Sequence, residues 1–230
     1  MRIRAYSLIL LSMLASALLG AQPEAAPETE ESRVQKVFRD YKQALMTGDG
    51  DAAAALVDEG TLDYFQGVQR LALSGSREEV SARSFIDRLL VVTMRNELER
   101  EVLESLELDD LLHHAIEAGW IGKASISRLG IGEVSIDGDE ASGVALTGGQ
   151  VPSPEDGDPL RYSFVREDGE WKFRFSSLVE SLNHLITQFT AQLGTNEDDL
   201  IFTLVQAISG KQVLPEIWDV DSDPPSPEDP

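Results

Sequence analysis

The sequence predicts an α+β protein: N-terminal helices packed on a curved four-stranded antiparallel sheet, with added C-terminal helices. Three observations carry that prediction. Apolar residues recur at helical spacing through the front of the chain, as in Val34, Val37, Phe38, Tyr41 and Leu45. After Trp120 the texture changes to short β runs separated by tight turns. The period returns to 3.6 after the last of these runs, where Leu178, Leu182, Leu185, Phe189 and Leu193 share a stripe.

The chain of 230 residues opens MRIRAYSLILLSMLASALLGAQPE. Arg2 and Arg4 form a basic start, residues 8–19 an apolar stretch, and Leu19-Gly20-Ala21 a small-residue cleavage site. The stretch is short of the roughly 20 residues needed to span a bilayer. Residues 1–21 are therefore expected to be a cleaved signal peptide, placing the protein in the periplasm or outside the cell. No cysteine is present, which excludes disulfides, thiol nucleophiles, cysteine zinc sites and lipid attachment at cysteine.

Removing residues 1–21 takes Arg2 and Arg4 with them, so 17 basic residues face 41 acidic ones and the charge falls from −22 to about −24. Such a chain repels nucleic acid and anionic membrane surfaces, and solubility is the ordinary reason for the excess. No stable membrane insertion is expected once the signal is gone.

Residues 22–31 read as an acidic, proline-containing linker, and residues 32–218 as one domain: helical over 32–119, sheet over 121–177, helices over 178–210. Ser32 is the expected cap of the first helix. Gly48-Asp49-Gly50-Asp51 ends it and caps the next, AAAALVDEG, which Gly60 closes. Thr61 starts a third segment with Leu62, Phe65 and Leu71 expected to be buried, weakened by Gly67. From 77 to 118 the chain is strongly helical, its apolar positions including Phe85, Ile86, Leu89, Leu90, Met94 and Leu98. Whether this run covers the sheet or projects as a lid is left open by the sequence. Asp109 or Asp110 is expected to cap its last helix, and Gly119 to end it.

KASISRL and IGEVSI form the first β runs, with Gly130 and Gly132 marking a bulge or bend. A turn at Asp137-Gly138-Asp139 leads to EASGVAL, and a Gly/Pro-rich loop leads on to a hairpin. Asp168-Gly169 supplies that hairpin's two-residue turn, since a type I′ turn needs φ > 0 at both central positions. Counting outward, Arg166 faces Trp171, Phe164 faces Phe173 and Tyr162 faces Phe175. One face is an aromatic ladder, while Arg161, Ser163, Lys172 and Arg174 occupy the other. Gly194-Thr195-Asn196 closes the following helix and caps another through Leu200, Leu204 and Ile208. Val213, Leu214, Ile217 and Trp218 are expected to fold back on the domain, and residues 219–230 to form a disordered acidic tail.

The order of elements, with VFRDYKQALMTGDGDAAAALVDEGTLDYF at its front and an antiparallel sheet behind, resembles the nuclear transport factor 2-like superfamily. The likeness rests on a first helix ending in a "-GD-" turn followed by a short second helix, here residues 44–56, and covers roughly residues 32–178. The run over 77–118 and the helices after Leu178 depart from that pattern. The resemblance implies a cone-shaped half-barrel with a cavity between sheet and helices, in a superfamily of isomerases, dehydratases, cyclases and non-catalytic modules. Its enzymes use Asp, His or Tyr for proton transfer within that cavity.

Tyr41, Tyr64, Asp58 and Asp63 lie on the helices that would wall such a cavity, where burial would raise a carboxylate's pKa. Tyr41 on the apolar stripe and Tyr64 beside Phe65 have core packing as the ordinary explanation. The ladder of Tyr162, Phe164, Trp171, Phe173 and Phe175 is either a ligand pocket or plain core. His113 and Glu117 share a helical face, but H-E-x-x-H is absent and no third ligand is identifiable. Asp219, Asp221 and Asp223 imitate a calcium loop, yet Pro224 and Pro230 stand where glycine and glutamate are required. Gly130-Ile131-Gly132 lacks the third glycine and the helix of a dinucleotide fingerprint. No motif calls for a cofactor or a metal, and no catalytic set is recognisable.

The sequence therefore favours an exported, non-catalytic α+β module that binds a small apolar ligand or a protein partner. The alternatives are a cofactor-free isomerase or hydro-lyase using a cavity carboxylate or tyrosine, and a homodimeric assembly module.

Overall fold

The computed structural model describes residues 28–118, 120, 126–151, 159–194 and 196–219, and within them the chain packs around two apolar centres. The expected signal peptide, most of the expected linker, Gly119, residues 121–125 of the expected sheet, residues 152–158 of the Gly/Pro-rich loop, Thr195 and the expected tail beyond Asp219 lie outside the described residues.

Helices α1 (Glu30–Thr47) and α2 (Gly50–Ala54) close the first centre over an open sheet of strands β1 (Leu129–Asp137), β2 (Glu140–Thr147), β3 (Arg161–Glu167) and β4 (Glu170–Arg174). The strands are antiparallel and in sequence order. Val34, Phe38, Tyr41, Ala44 and Leu45 bury the expected stripe of α1. The cap is not Ser32: the Thr29 side chain accepts the Ser32 N–H at 3.2 Å, so the helix starts three residues earlier and takes in the end of the expected linker. Gly48 ends α1 in the left-handed region at φ 81°, and Asp49 caps α2 by accepting from Ala52 N at 2.9 Å.

The hairpin has the expected register, Phe164 opposite Phe173 and Arg166 opposite Trp171, around a turn with φ of 50° at Asp168 and 84° at Gly169. Tyr162 does not face Phe175, because β4 stops at Arg174 and Phe175 is already the first residue of α8 (Phe175–Leu193). The expected strand KASISRL is also shorter, since residues 126–127 are helical and β1 begins at Leu129. The glycine pair does fall beside an irregularity: the β1–β2 register shifts between Ile131 and Val134.

The second centre gathers α3 (Glu59–Ser74), α4 (Arg77–Ser81), α5 (Phe85–Glu97), α6 (Arg100–Ser105), α7 (Leu108–Glu117), α9 (Glu197–Ser209) and a closing 3₁₀ turn, Pro215–Trp218. The run over 77–118 is four short helices rather than one long one. A serine cap opens it at Ser76, as a full capping box with Glu79, and a second breaks it at Ser84. These helices bury Val80, Phe85, Val91, Val92, Met94, Leu98, Leu103 and Leu111 and belong to the core, so they are no lid.

Two helix boundaries and two buried faces differ from expectation. Gly60 does not close α2; Asp58 caps α3 and Gly60 sits in its first turn. Asp109 and Asp110 lie inside α7, whose first intrahelical bond runs from Leu111 N to Glu107 O. In α3 the fully buried positions are Thr61, Val68 and Ala72, with Leu62, Phe65 and Leu71 only half-buried. In α9 they are Ile201 and Val205, one position on from Leu200 and Leu204. Val213 and Trp218 fold back as expected, while Leu214 stays exposed.

One guanidinium fastens that return. Arg95 donates to the carbonyls of Leu71, Ala72 and Gly75 at the end of α3 and to those of Ile217 and Trp218, at 2.7–3.2 Å. The orphan carbonyls of a helix C-terminus carry partial negative charge, so a cation there satisfies both hydrogen bonding and the helix dipole. Trp218 stacks on Phe202 at 5.7 Å. Buried Arg88 reaches across to Glu197 and Asp198 at the start of α9.

Candidate functional site

The predicted ladder residues fall into two groups. Tyr162, Phe164, Trp171 and Phe173 are buried on the inner face of the sheet, and Tyr41 packs over them from α1. Phe173 is the hub: its ring lies 5.0 Å from Tyr41, 5.4 Å from Phe164, 5.9 Å from Tyr162 and 6.3 Å from Phe38. Phe38 stacks on Tyr162 at 4.6 Å. Centroid spacings of 4.5–7 Å are those of rings in direct contact, so these side chains pack against one another between sheet and α1.

Phe175 and Tyr64 stand outside this group. Phe175 is half-buried and stacks on Phe65 at 5.5 Å, and Phe65 meets Tyr64 at 5.3 Å. With Phe173 and Phe175 6.3 Å apart, rings run without a break from one apolar centre to the other.

Burial without a charged partner pushes the Tyr162 phenol up to about 12 and the Tyr41 phenol further still. Tyr64 is also raised, by burial first and then by Asp87, whose Oδ1 accepts its hydroxyl at 2.8 Å. Around that pair Asn183 of α8 donates to the Ser84 hydroxyl at 3.0 Å and accepts Ile86 N at 2.9 Å. Ser84 in turn accepts Asp87 N at 3.3 Å. A neutral phenol held on a carboxylate is able to move a proton, but each neighbour here is also a helix cap or an interhelical tie.

Asp58 is 4% exposed and fully employed. Its carboxylate accepts the Thr61 N–H at 3.0 Å and the Thr61 hydroxyl, and lies 3.4 Å from Arg174 Nε. The Thr61 hydroxyl then accepts Phe175 N at 2.9 Å, capping α8 from another helix. The backbone repeats the tie: Phe173 N donates to Leu56 O at 2.8 Å and Asp58 N to Phe173 O at 3.2 Å, a parallel bridge covering part of β4's edge. Asp63 is exposed on the outer side of α3.

A second lock closes the far end of the ladder. Glu30 Oε2 accepts from Trp171 Nε1 at 2.9 Å and from Arg166 at 2.6 Å, while the Arg166 guanidinium lies 4.5 Å over the Trp171 ring. The indole hydrogen bond first, then the charges of Arg166 and Arg33, hold the Glu30 carboxyl below its usual range. Sequence reasoning placed Arg166 opposite Trp171 but missed Glu30, whose only signal was an acidic residue in a helix's first turn.

His113 pairs with Glu117 at 3.4 Å, both exposed, and its backbone rests on Gly50, where an added Cβ would lie 2.6 Å from His113 Cα. Among the described residues no three His, Cys, Asp or Glu side chains are placed to hold a metal ion. No described helix is long and apolar enough to cross a membrane.

An open cleft of about 320 Å³ lies on the surface between α3 and α4. Gly67, Arg70, Leu71, Ser74, Gly75, Glu79 and Arg83 line it, none of them foreseen from the sequence. No protein-family model, curated protein or solved structure matches this chain.

Proposed function

We propose that the chain is an exported, non-catalytic α+β module that acts through its surface on a protein partner. The observation that supports this best is the packed ladder: Phe173 is in contact with Tyr41, Phe164, Tyr162 and Phe38 on the inner face of the sheet. The engagement of Asp58, Tyr64 and Glu30 in caps and interelement ties adds to it. Kinship with the nuclear transport factor 2-like superfamily belongs to the same proposal; its support is α1, the Gly48-Asp49 turn and α2 lying against an antiparallel sheet.

Native mass spectrometry on protein purified from the exported fraction, paired with a denatured mass, tests the reading. A denatured mass matching a cut after Ala21 and a native mass free of any small-molecule increment are expected. An intact N-terminus overturns the export assignment. A native mass carrying a small organic molecule overturns the surface reading in favour of a pocket. A bare dimer transfers the partner role to a second copy of this chain.

A further inference from the structure

The chain leaves the described fold beside the α3–α4 cleft. Arg95 donates to Gly75 O at 2.7 Å and to Trp218 O at 2.9 Å, so a cleft wall and the start of the C-terminal segment share one guanidinium. The two carbonyls are thus within about 8 Å of each other, the width of that group plus two hydrogen bonds. From there the sequence continues as Asp219-Val220-Asp221-Ser222-Asp223-Pro224-Pro225-Ser226-Pro227-Glu228-Asp229-Pro230, with five carboxylates and no base. Extended chain advances about 3.3 Å per residue, so these residues reach well past the cleft.

The cleft suits such a segment in charge and shape. In a chain of net charge −22 it presents two arginines, Arg70 and Arg83, both exposed. Glu79 is the one acidic lining residue; its carboxylate is held by Ser76 N at 2.8 Å in the capping box and also feels the charge of Arg83. Gly67 sits mid-helix in α3, where glycine is destabilising against alanine. Nothing lies within 4 Å of the Cβ it lacks, so no packing contact accounts for it. Its bare backbone leaves that wall open to close approach by an extended chain. The four prolines of residues 219–230 fix their own φ and so lower the entropy lost on docking.

We propose that the cleft is a binding site for an acidic, extended peptide, and that its resident occupant is the chain's own residues 219–230, with their carboxylates on Arg70 and Arg83. Exposed ion pairs each contribute little. The contact therefore depends on the tether, which supplies an effective concentration in the millimolar range, and on low ionic strength. A partner peptide of the same character would displace the tail. This inference stands apart from the reading of the aromatic ladder and survives its failure.

The absence of cysteine makes the test direct. A benzophenone attached to Ser226→Cys in the full chain is photolysed at 20 mM and at 1 M salt, and intramolecular crosslinks are mapped by peptide mass. Crosslinks concentrated in residues 67–83 at low salt are expected, falling at least five-fold in R70E/R83E and at 1 M salt, and retained in R70K/R83K. Tethering alone would give crosslinks near the exit that neither salt nor charge reversal changes, and that result overturns the proposal. So do crosslinks spread evenly over the surface, or formed only between two chains. The salt series on the otherwise unaltered sequence decides the matter even if R70E/R83E folds poorly.

Discussion

Phe173→Ala is the change that best separates a packed core from a ligand pocket. The ring is 2% exposed and touches the rings of Phe38, Tyr41, Tyr162, Phe164 and Phe175. A phenylalanine buries about 150–250 Å², worth roughly 4–6 kcal/mol at 25 cal/mol/Å²; a compact unfolded state lowers that. Buried Phe→Ala substitutions cost about 3–5 kcal/mol, and with ring neighbours on several sides a loss of about 4 kcal/mol is expected. The bonds from Phe173 N to Leu56 O and from Asp58 N to Phe173 O involve backbone only, so the substitution leaves them in place. Urea and thermal unfolding followed by far-UV circular dichroism measure the loss, which for a domain of this size lowers Tm by roughly 8–16 °C. Phe173→Leu, closer in volume, is expected to lose under about 2 kcal/mol. A loss below about 1.5 kcal/mol for the alanine variant, with the denaturant slope unchanged, would refute the reasoning: the ring would then face solvent or a ligand rather than its neighbours.

Three further outcomes follow from the same geometry. Arg95→Lys keeps the charge but offers at most three donors where five carbonyl contacts are made. It is expected to cost about 2–3 kcal/mol, with faster amide exchange over residues 213–218 and a red shift of Trp218 emission; no change in either readout would show that the guanidinium is not the fastener. Gly50→Ala drives a Cβ into the His113 backbone, which has no flexible end to yield. A loss of about 1–3 kcal/mol is expected, with exchange rising first in α7; an unaltered melting curve would mean that α2 and α7 do not meet so closely. In alkali, Tyr41, Tyr64 and Tyr162 keep their protons in the folded protein above the ordinary phenol value of 10. Between pH 10 and about 12 the folded state therefore binds more protons than the unfolded one, and stability falls as pH rises. Tyrosinate absorbance that lags behind an unfolded control, with a declining urea midpoint over that interval, is the expected result. Phenols that ionise near pH 10 while the fold stays intact would contradict it.

The sequence by itself determined whatever rests on near neighbours along the chain. The stripe of α1 from Val34 to Leu45, the left-handed stop at Gly48 with its Asp49 cap, and the Asp168-Gly169 turn with Phe164 opposite Phe173 each depend on residues a few positions apart. Helical and strand periodicity and turn chemistry act at that range, so they are legible in one dimension. Tertiary structure decided what required a partner from far along the chain. It was Thr61 that started α8 at Phe175, Glu30 that fixed Trp171 and Arg166, and the carbonyls of α3 that gave Arg95 its place. It also placed Tyr162, Phe164, Trp171 and Phe173 in the buried core, because aromatic side chains alternating on two strands are compatible with either a cavity or a filled interior. What chose between them was the arrival of Phe38 and Tyr41 from α1 on top of Phe173, a matter of how closely helix and sheet approach. Periodicity tells which face a side chain takes but carries no measure of that separation, and close packing in three dimensions supplies it.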